Sequence, residues 1–228
     1  MAVLYKMEAL CRDNLVYVPI TKNASTSYTH FFKNLLGWGS IQTDSIDWDK
    51  QHVFAHIMHP YKRHLKGTVQ ALYQYDLFDI VDDPRFLKLL GTAVFDLHSY
   101  PLSTVFAEKM MLIDWIMLDH PHVSSERCVK KLLQEHGIHI DENAIPGMNT
   151  SNNFFKKVSA KIENIRDQND LSGTLTYFYD QDVYWYSQVW QHTLFYEMEN
   201  LPWSECSWLK NYPRIEKEKQ LKSFKLVL

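Results

Sequence analysis

A chain of 228 residues that is 46% hydrophobic and 14% aromatic has apolar surface enough for one globular domain with a substantial core, or for one domain and a tail. Its formal net charge of −3 gives no general case for a nucleic-acid partner or an anionic membrane. Cys11, Cys128 and Cys206 lie far apart with no CxxC pair, so neither a zinc site nor a disulfide framework is expected, but free thiols in a reducing compartment.

The first fourteen residues lack a basic region followed by a long apolar core, unlike a signal peptide. The most apolar later run, Met110 to Leu118, is interrupted by Asp114 and is too short to cross a bilayer. A cytoplasmic protein is therefore expected.

The stretch Leu15 to Phe32 organises the chain. Leu15-Val16-Tyr17-Val18 reads as a buried parallel strand. A turn of small and polar residues follows, Thr21-Lys22-Asn23-Ala24-Ser25-Thr26-Ser27. Tyr28, Phe31, Phe32, Leu35 and Leu36 then recur at helical spacing, with Gly37 and Gly39 as stops. Strand, tight polar loop and helix together aim backbone N–H groups and a helix N-terminus at one point, which suits an anion. The plainer reading is a Ser/Thr-rich cap on an amphipathic helix.

Residues 40–51 are polar and loop-like, and His52 to Met58 suits a second strand. A helix beginning at Pro60 is predicted to run to about Tyr75, with Lys62, Arg63, His64 and Lys66 in its first two turns. Residues 84–97 read as another helix. Ile113 to Leu118 is a third buried strand. Ser124 caps a helix running to about His136 and stopped by Gly137. Residues 155–169 form a mobile lid or a surface helix, and Leu171 to Val189 a terminal helix rich in aromatics. The domain is placed at 1–190, with 191–228 an extension of unassigned role.

Five segments, in order, resemble sulfotransferases, closest to the carbohydrate and phage-type branch. Thr21-Lys22-Asn23-Ala24-Ser25-Thr26-Ser27 is similar to the family's 5′-phosphosulfate loop, with Thr21 where proline is usual. His59-Pro60-Tyr61-Lys62-Arg63 resembles the strand-to-helix segment that holds the 3′-phosphate. Met58 stands there in place of an arginine and Lys66 in place of a serine; methionine donates no hydrogen bond to phosphate, and lysine does. Asp96-Leu97-His98-Ser99-Tyr100-Pro101, Asn149-Thr150-Ser151 and Tyr179-x-x-Asp182-x-x-x-Tyr186 resemble three later family segments.

The resemblance implies a single α/β domain, a P-loop-like parallel sheet with helices on both faces. It implies 3′-phosphoadenosine 5′-phosphosulfate as co-substrate, no metal, and an acceptor hydroxyl or amine on a small molecule or carbohydrate. Donor-binding residues would be Lys22, Asn23, Ala24, Ser25, Thr26, Ser27, Arg63, Lys66, Asn149 and Ser151. Lys22 would stabilise the leaving phosphate. His98 is the first candidate for the general base and His56 the second, since an imidazole titrates near neutrality. Two alternatives stand beside this reading: a nucleotide- or anion-binding relic without transfer activity, which Met58 supports, and a small-molecule kinase, which the absence of GxxxxGK[ST] opposes.

Overall fold

The computed structural model describes residues 6–77, 83, 85, 98–121, 123–141, 144–145, 153–169 and 172–194. Five strands form one mixed sheet: β1 (Glu8–Arg12), β2 (Leu15–Tyr17), β3 (Gly39–Gln42), β4 (His52–Ile57) and β5 (Ile113–Met117), in the order β3-β1-β2-β4-β5. β2, β4 and β5 run parallel, whereas β1 pairs antiparallel with both β2 and β3. The expected parallel sheet is thus correct for its centre and incomplete at one edge. The reason is local. Arg12 turns back to Leu15 through Asp13, which takes the left-handed conformation (φ 54°) that Asp tolerates, and two residues suffice only for an antiparallel return. Gly39 does not stop the first helix but opens β3, so residues 39–42 are an edge strand and not loop.

Side-chain alternation divides the core. Val16, Val53, Ala55, Ile57, Ile113, Trp115 and Met117 line one face, and Leu15, Tyr17, Phe54, Ile116 and Leu118 the other. The first face is covered by α3 (Leu102–Phe106) through Leu102, Val105 and Phe106, and by α6 (Ser172–Leu194) through Trp185, Tyr186 and Val189. The second is covered by α1 (Ser25–Thr29), which continues as a π-helical segment, His30–Leu35, and by α4 (Ser125–Glu135). Helices therefore cover both faces. Tyr28, Phe31 and Phe32 reach Tyr17, Phe54 and Trp38 in an aromatic cluster with ring centroids 4.5–6.2 Å apart.

α2 (Pro60–Gln74) follows β4. Proline fits its first turn, and His59 caps it by accepting the Tyr61 amide at Nδ1, 3.3 Å. Leu65, Val69 and Leu72 pack on Val158 and Ile162 of α5 (Asn153–Asn169), so the charged segment expected as a lid or surface helix is an amphipathic helix seated on α2. Ser124 caps α4 as expected, accepting from the Arg127 amide, and Gly137 follows at φ 72°.

α6 runs past the expected domain limit at 190, ending at Leu194. The helix predicted over 84–97, the Asn149-Thr150-Ser151 segment and the extension beyond Leu194 lie outside the described residues. Among the described residues no helix is long and apolar enough to cross a membrane, and no cluster of His, Cys, Asp and Glu is suited to a metal ion.

Gly67 marks a close approach. A Cβ there would lie 2.4 Å from the His98 carbonyl oxygen and 2.9 Å from the Ser99 nitrogen, both backbone atoms. Gly67→Ala is expected to lower stability by about 1–3 kcal/mol despite alanine's better helix propensity, because the turn at 98–99 must be pushed off α2. Urea unfolding of the two proteins measures it.

Candidate functional site

In open sheets of this kind ligands settle beyond the carboxyl ends of the parallel strands. Here those ends lead into residues 18–24 after β2, Met58 and His59 after β4, and Leu118 and Asp119 after β5.

The loop after β2 is held in an unusual backbone shape. Lys22 (φ 66°) and Ala24 (φ 57°) both adopt the left-handed conformation without being glycine. Each such residue costs on the order of 1–2 kcal/mol, and the surroundings must hold it. The Asn23 amide closes a turn on the Ile20 carbonyl, 3.0 Å, and the fully buried Asn23 side chain donates to the His56 carbonyl, 2.8 Å. Asn23 therefore pins the loop to β4. The helix that follows begins with the Tyr28 amide bonding Ala24, 3.2 Å, so the amides of Ala24, Ser25, Thr26 and Ser27 belong to its first turn. Thr26 is exposed, Ser25 half-buried and Ser27 buried.

Lys22 and α2 come together. The Lys22 ammonium donates to Gln70 Oε1, 2.8 Å. Gln70 lies one turn along α2 from Lys66, and Arg63 one turn before it, so the three share a helix face. Arg63 reaches the loop itself, donating from Nε to the Thr21 carbonyl, 3.3 Å, and from a terminal nitrogen to the Tyr100 carbonyl. It is only 2% exposed, and the buried Asp182 carboxylate lies within its electrostatic reach. Arg63, expected to bind the donor, ties the loop after β2 to the turn before α3, with Nε and one terminal nitrogen donating to carbonyl oxygens in the interior.

Lys66 is exposed on α2; its surroundings push its pKa down by desolvation, with Asp119 opposing and Lys62 adding to the shift. A second polar cluster lies beside it. Asp119 accepts from Tyr186 Oη at 2.9 Å, from Lys62 Nζ at 3.2 Å and from the His59 amide at 3.3 Å. That carboxylate and burial together raise the Tyr186 hydroxyl's pKa well above its ordinary value, burial first. Met58 is 4% exposed and belongs to the core beside Ile116 and Leu118, so its thioether faces apolar neighbours and not the strand-end surface.

His98 sits in the turn that leads into α3, half-buried, with its carbonyl against Gly67. This brings the His98 backbone to the same helix as Lys66 and Gln70. His56 differs. It is 1% exposed, stacks on Tyr28 with ring centroids 3.9 Å apart, and has Nδ1 3.4 Å from Tyr17 Oη, while its Nε2 and Asn23 Oδ1 have no protein partner. Burial lowers its pKa to about 3. A ring sealed beneath α1 is not placed to take a proton from an acceptor, which corrects its candidacy as base; it is a core residue under the loop.

That burial has a consequence for stability. In the unfolded chain His56 titrates near 6.5, about 3.5 pH units above its folded value. Below pH 6.5 the unfolded chain binds a proton that the folded one refuses, so stability rises with pH between 3 and 6.5 and is lost on acidification. At pH 5 the His56 contribution amounts to a loss of about 2 kcal/mol relative to pH 7.5. Urea midpoints at the two pH values should show it, and His56→Phe should remove most of the difference.

The Lys22 ammonium and the backbone of the His98 turn thus each meet α2, the helix that carries Lys66; Arg63 is there as a brace, and Asn149 and Ser151 lie outside the described residues. Gln70, the Lys62–Asp119–Tyr186 cluster and the bracing of Arg63 were not anticipated. Only helical spacing from Lys66 could have pointed to Gln70, and nothing in the local sequence marks Asp119 as the meeting point of three elements. Compared with protein-family models, with characterised proteins and with solved structures, the chain matches none.

Proposed function

We propose that this chain is a sulfotransferase-like enzyme with a P-loop-like anion site. It would transfer a sulfuryl group from 3′-phosphoadenosine 5′-phosphosulfate to an acceptor hydroxyl. The observation that carries the reading is the loop after β2, whose left-handed turn at Lys22 leads directly into the first turn of α1 and whose lysine ammonium is held on Gln70 of α2. In this reaction the acceptor oxygen forms a bond to sulfur as the bond from sulfur to the 5′-phosphate oxygen breaks. The electron pair leaves on 3′-phosphoadenosine 5′-phosphate, and the acceptor proton passes to His98. Charge grows on the bridging oxygen, where Lys22 and the amides of Ala24 to Ser27 stabilise it most.

Lys66 takes the 3′-phosphate in this reading, as a point charge on a flexible stem. Lys66→Ala is expected to weaken binding of 3′-phosphoadenosine 5′-phosphate by about 1.5–3 kcal/mol, the range for a charged hydrogen bond. Adenosine 5′-phosphosulfate, which lacks that phosphate, should respond little. Calorimetry with both ligands decides it, and equal losses would assign Lys66 to the fold.

A second reading, donor binding without transfer, is favoured by one observation: Met58 lies in the core and Arg63 is engaged by carbonyls, so neither supplies a guanidinium at the strand-end surface. Incubation with radiolabelled donor and a panel of hydroxylated acceptors separates the two. Ligand binding with no labelled product supports the second; failure of 3′-phosphoadenosine 5′-phosphate to bind overturns both.

A further inference from the structure

His59 stands half-buried where the carboxyl end of β4 turns into α2. Its Nδ1 accepts the Tyr61 amide at 3.3 Å and so caps the helix. An imidazole does this only while Nδ1 is bare, and the neutral ring then carries its proton on Nε2. Protonation fills Nδ1, removes the acceptor and sets a positive charge at the positive end of the helix. A serine or asparagine cap has no such dependence on pH.

The charged ring has a second partner close by. The Asp119 carboxylate, just after β5, already accepts the His59 amide at 3.3 Å, together with Lys62 Nζ at 3.2 Å and Tyr186 Oη at 2.9 Å. Tyr61 of α2 and Tyr186 of α6 stand edge-on to the His59 ring, with centroids 5.3 and 5.1 Å away. Burial disfavours the charged ring most, Asp119 favours it and Lys62 disfavours it. Lys62 is the partner that Asp119 gives up most readily, because its side chain is 62% exposed and an exposed ion pair is worth little. One turn further along α2 lies Lys66, whose ammonium feels both Asp119 and Lys62.

We propose that His59 is a pH-responsive cap that sets anion affinity at Lys62 and Lys66. Neutral, it holds the first turn of α2 and leaves Lys62 to Asp119. Charged, it gives up the Tyr61 amide, pairs with Asp119 and releases Lys62 to act beside Lys66. Anion binding therefore strengthens on acidification. The folded ring resists its proton, so the change falls below 6.5, the ordinary histidine value. The switch rests on the anion-site reading of Lys66 for its purpose but not for its proton chemistry.

NMR of the isotopically labelled full chain, titrated with inorganic sulfate from about pH 7.5 down to about pH 5, tests it; sulfate keeps its charge over that range. Sulfate should bind about threefold tighter at the acid end, the change that the attraction of one exposed ion pair converts to. The Tyr61 amide should lose its hydrogen-bonded shift along the same curve on which the His59 imidazole titrates. His59→Asn keeps an uncharged cap and should bind sulfate with nearly equal affinity at both ends. Every other histidine is intact in that variant, so the difference reads His59 alone. Asp119→Asn frees Lys62 at any pH and should show the tighter affinity already at the neutral end. A His59 titration that leaves the Tyr61 amide unmoved, or a sulfate response to pH that survives in His59→Asn, would overturn the switch. A switching sulfate site without binding of 3′-phosphoadenosine 5′-phosphate would sustain it and sink the transferase reading; nucleotide binding with a pH-independent sulfate affinity would do the reverse.

Discussion

On the proposed transferase reading, Lys22→Ala should leave a folded protein whose turnover falls by about 10²–10³, with a much smaller change in affinity for 3′-phosphoadenosine 5′-phosphate. The ammonium is held 2.8 Å from Gln70 Oε1 and so is positioned before any ligand arrives. An oriented charge that costs no reorganisation acts chiefly where charge develops, on the leaving oxygen, and removal of one such contact typically costs that much in rate. The native residue already occupies the left-handed region at φ 66°, and alanine bears a similar backbone penalty there, so the variant tests the ammonium and not the turn. Single-turnover rates and calorimetry on both proteins give the split. Unchanged turnover would remove Lys22 from the chemistry, and a loss confined to binding would make it a ground-state anchor.

Asp182→Ala should cost about 1.5–3 kcal/mol of stability, the range for hydrogen bonds to a charged group. Its carboxylate, 2% exposed, accepts the Leu102 amide at 2.6 Å and the Ser103 amide at 2.8 Å, reaching from α6 to start α3. Burial raises its pKa, opposed by those hydrogen bonds and by the Arg63 charge. Removing it leaves two helix-start amides without their acceptor and takes a negative charge from the neighbourhood of the buried Arg63 guanidinium. Arg63 in turn braces the carbonyls of Thr21 and Tyr100, so the loss should spread to the loop. Urea unfolding gives the stability change, and hydrogen exchange at residues 21–27 and 100–103 should show whether the loop loosens with it. A cost below about 1 kcal/mol would mean that water replaces the carboxylate readily.

The contrast between Arg63 and Lys66 shows where reading the chain alone runs out. Both are cations in the first turns of one helix, three residues apart. Only the position of the Thr21 and Tyr100 carbonyls, supplied by segments 42 and 37 residues away in the chain, makes one a buried brace and leaves the other exposed. His56 and His98 divide similarly. Each is an imidazole, but His56 stands among the apolar residues of β4, which turns it beneath the rings of α1, whereas His98 falls in a turn.

By itself, the sequence determined the elements whose cause is local. The apolar runs of β2, β4 and β5, the proline and histidine that start α2, the Ser124 cap and the Gly137 stop all act over a few residues. The polar turn between β2 and α1 was legible for the same reason, as small side chains between two apolar periodicities. Tertiary structure alone decided that β1 and β3 extend the sheet antiparallel, that Lys22 meets Gln70, that Asp119 gathers Tyr186, Lys62 and His59, and that His56 is sealed. These depend on which residues pack together across dozens of positions, and a side chain's solvation and partners, which set its charge and reach, exist only once that packing is complete.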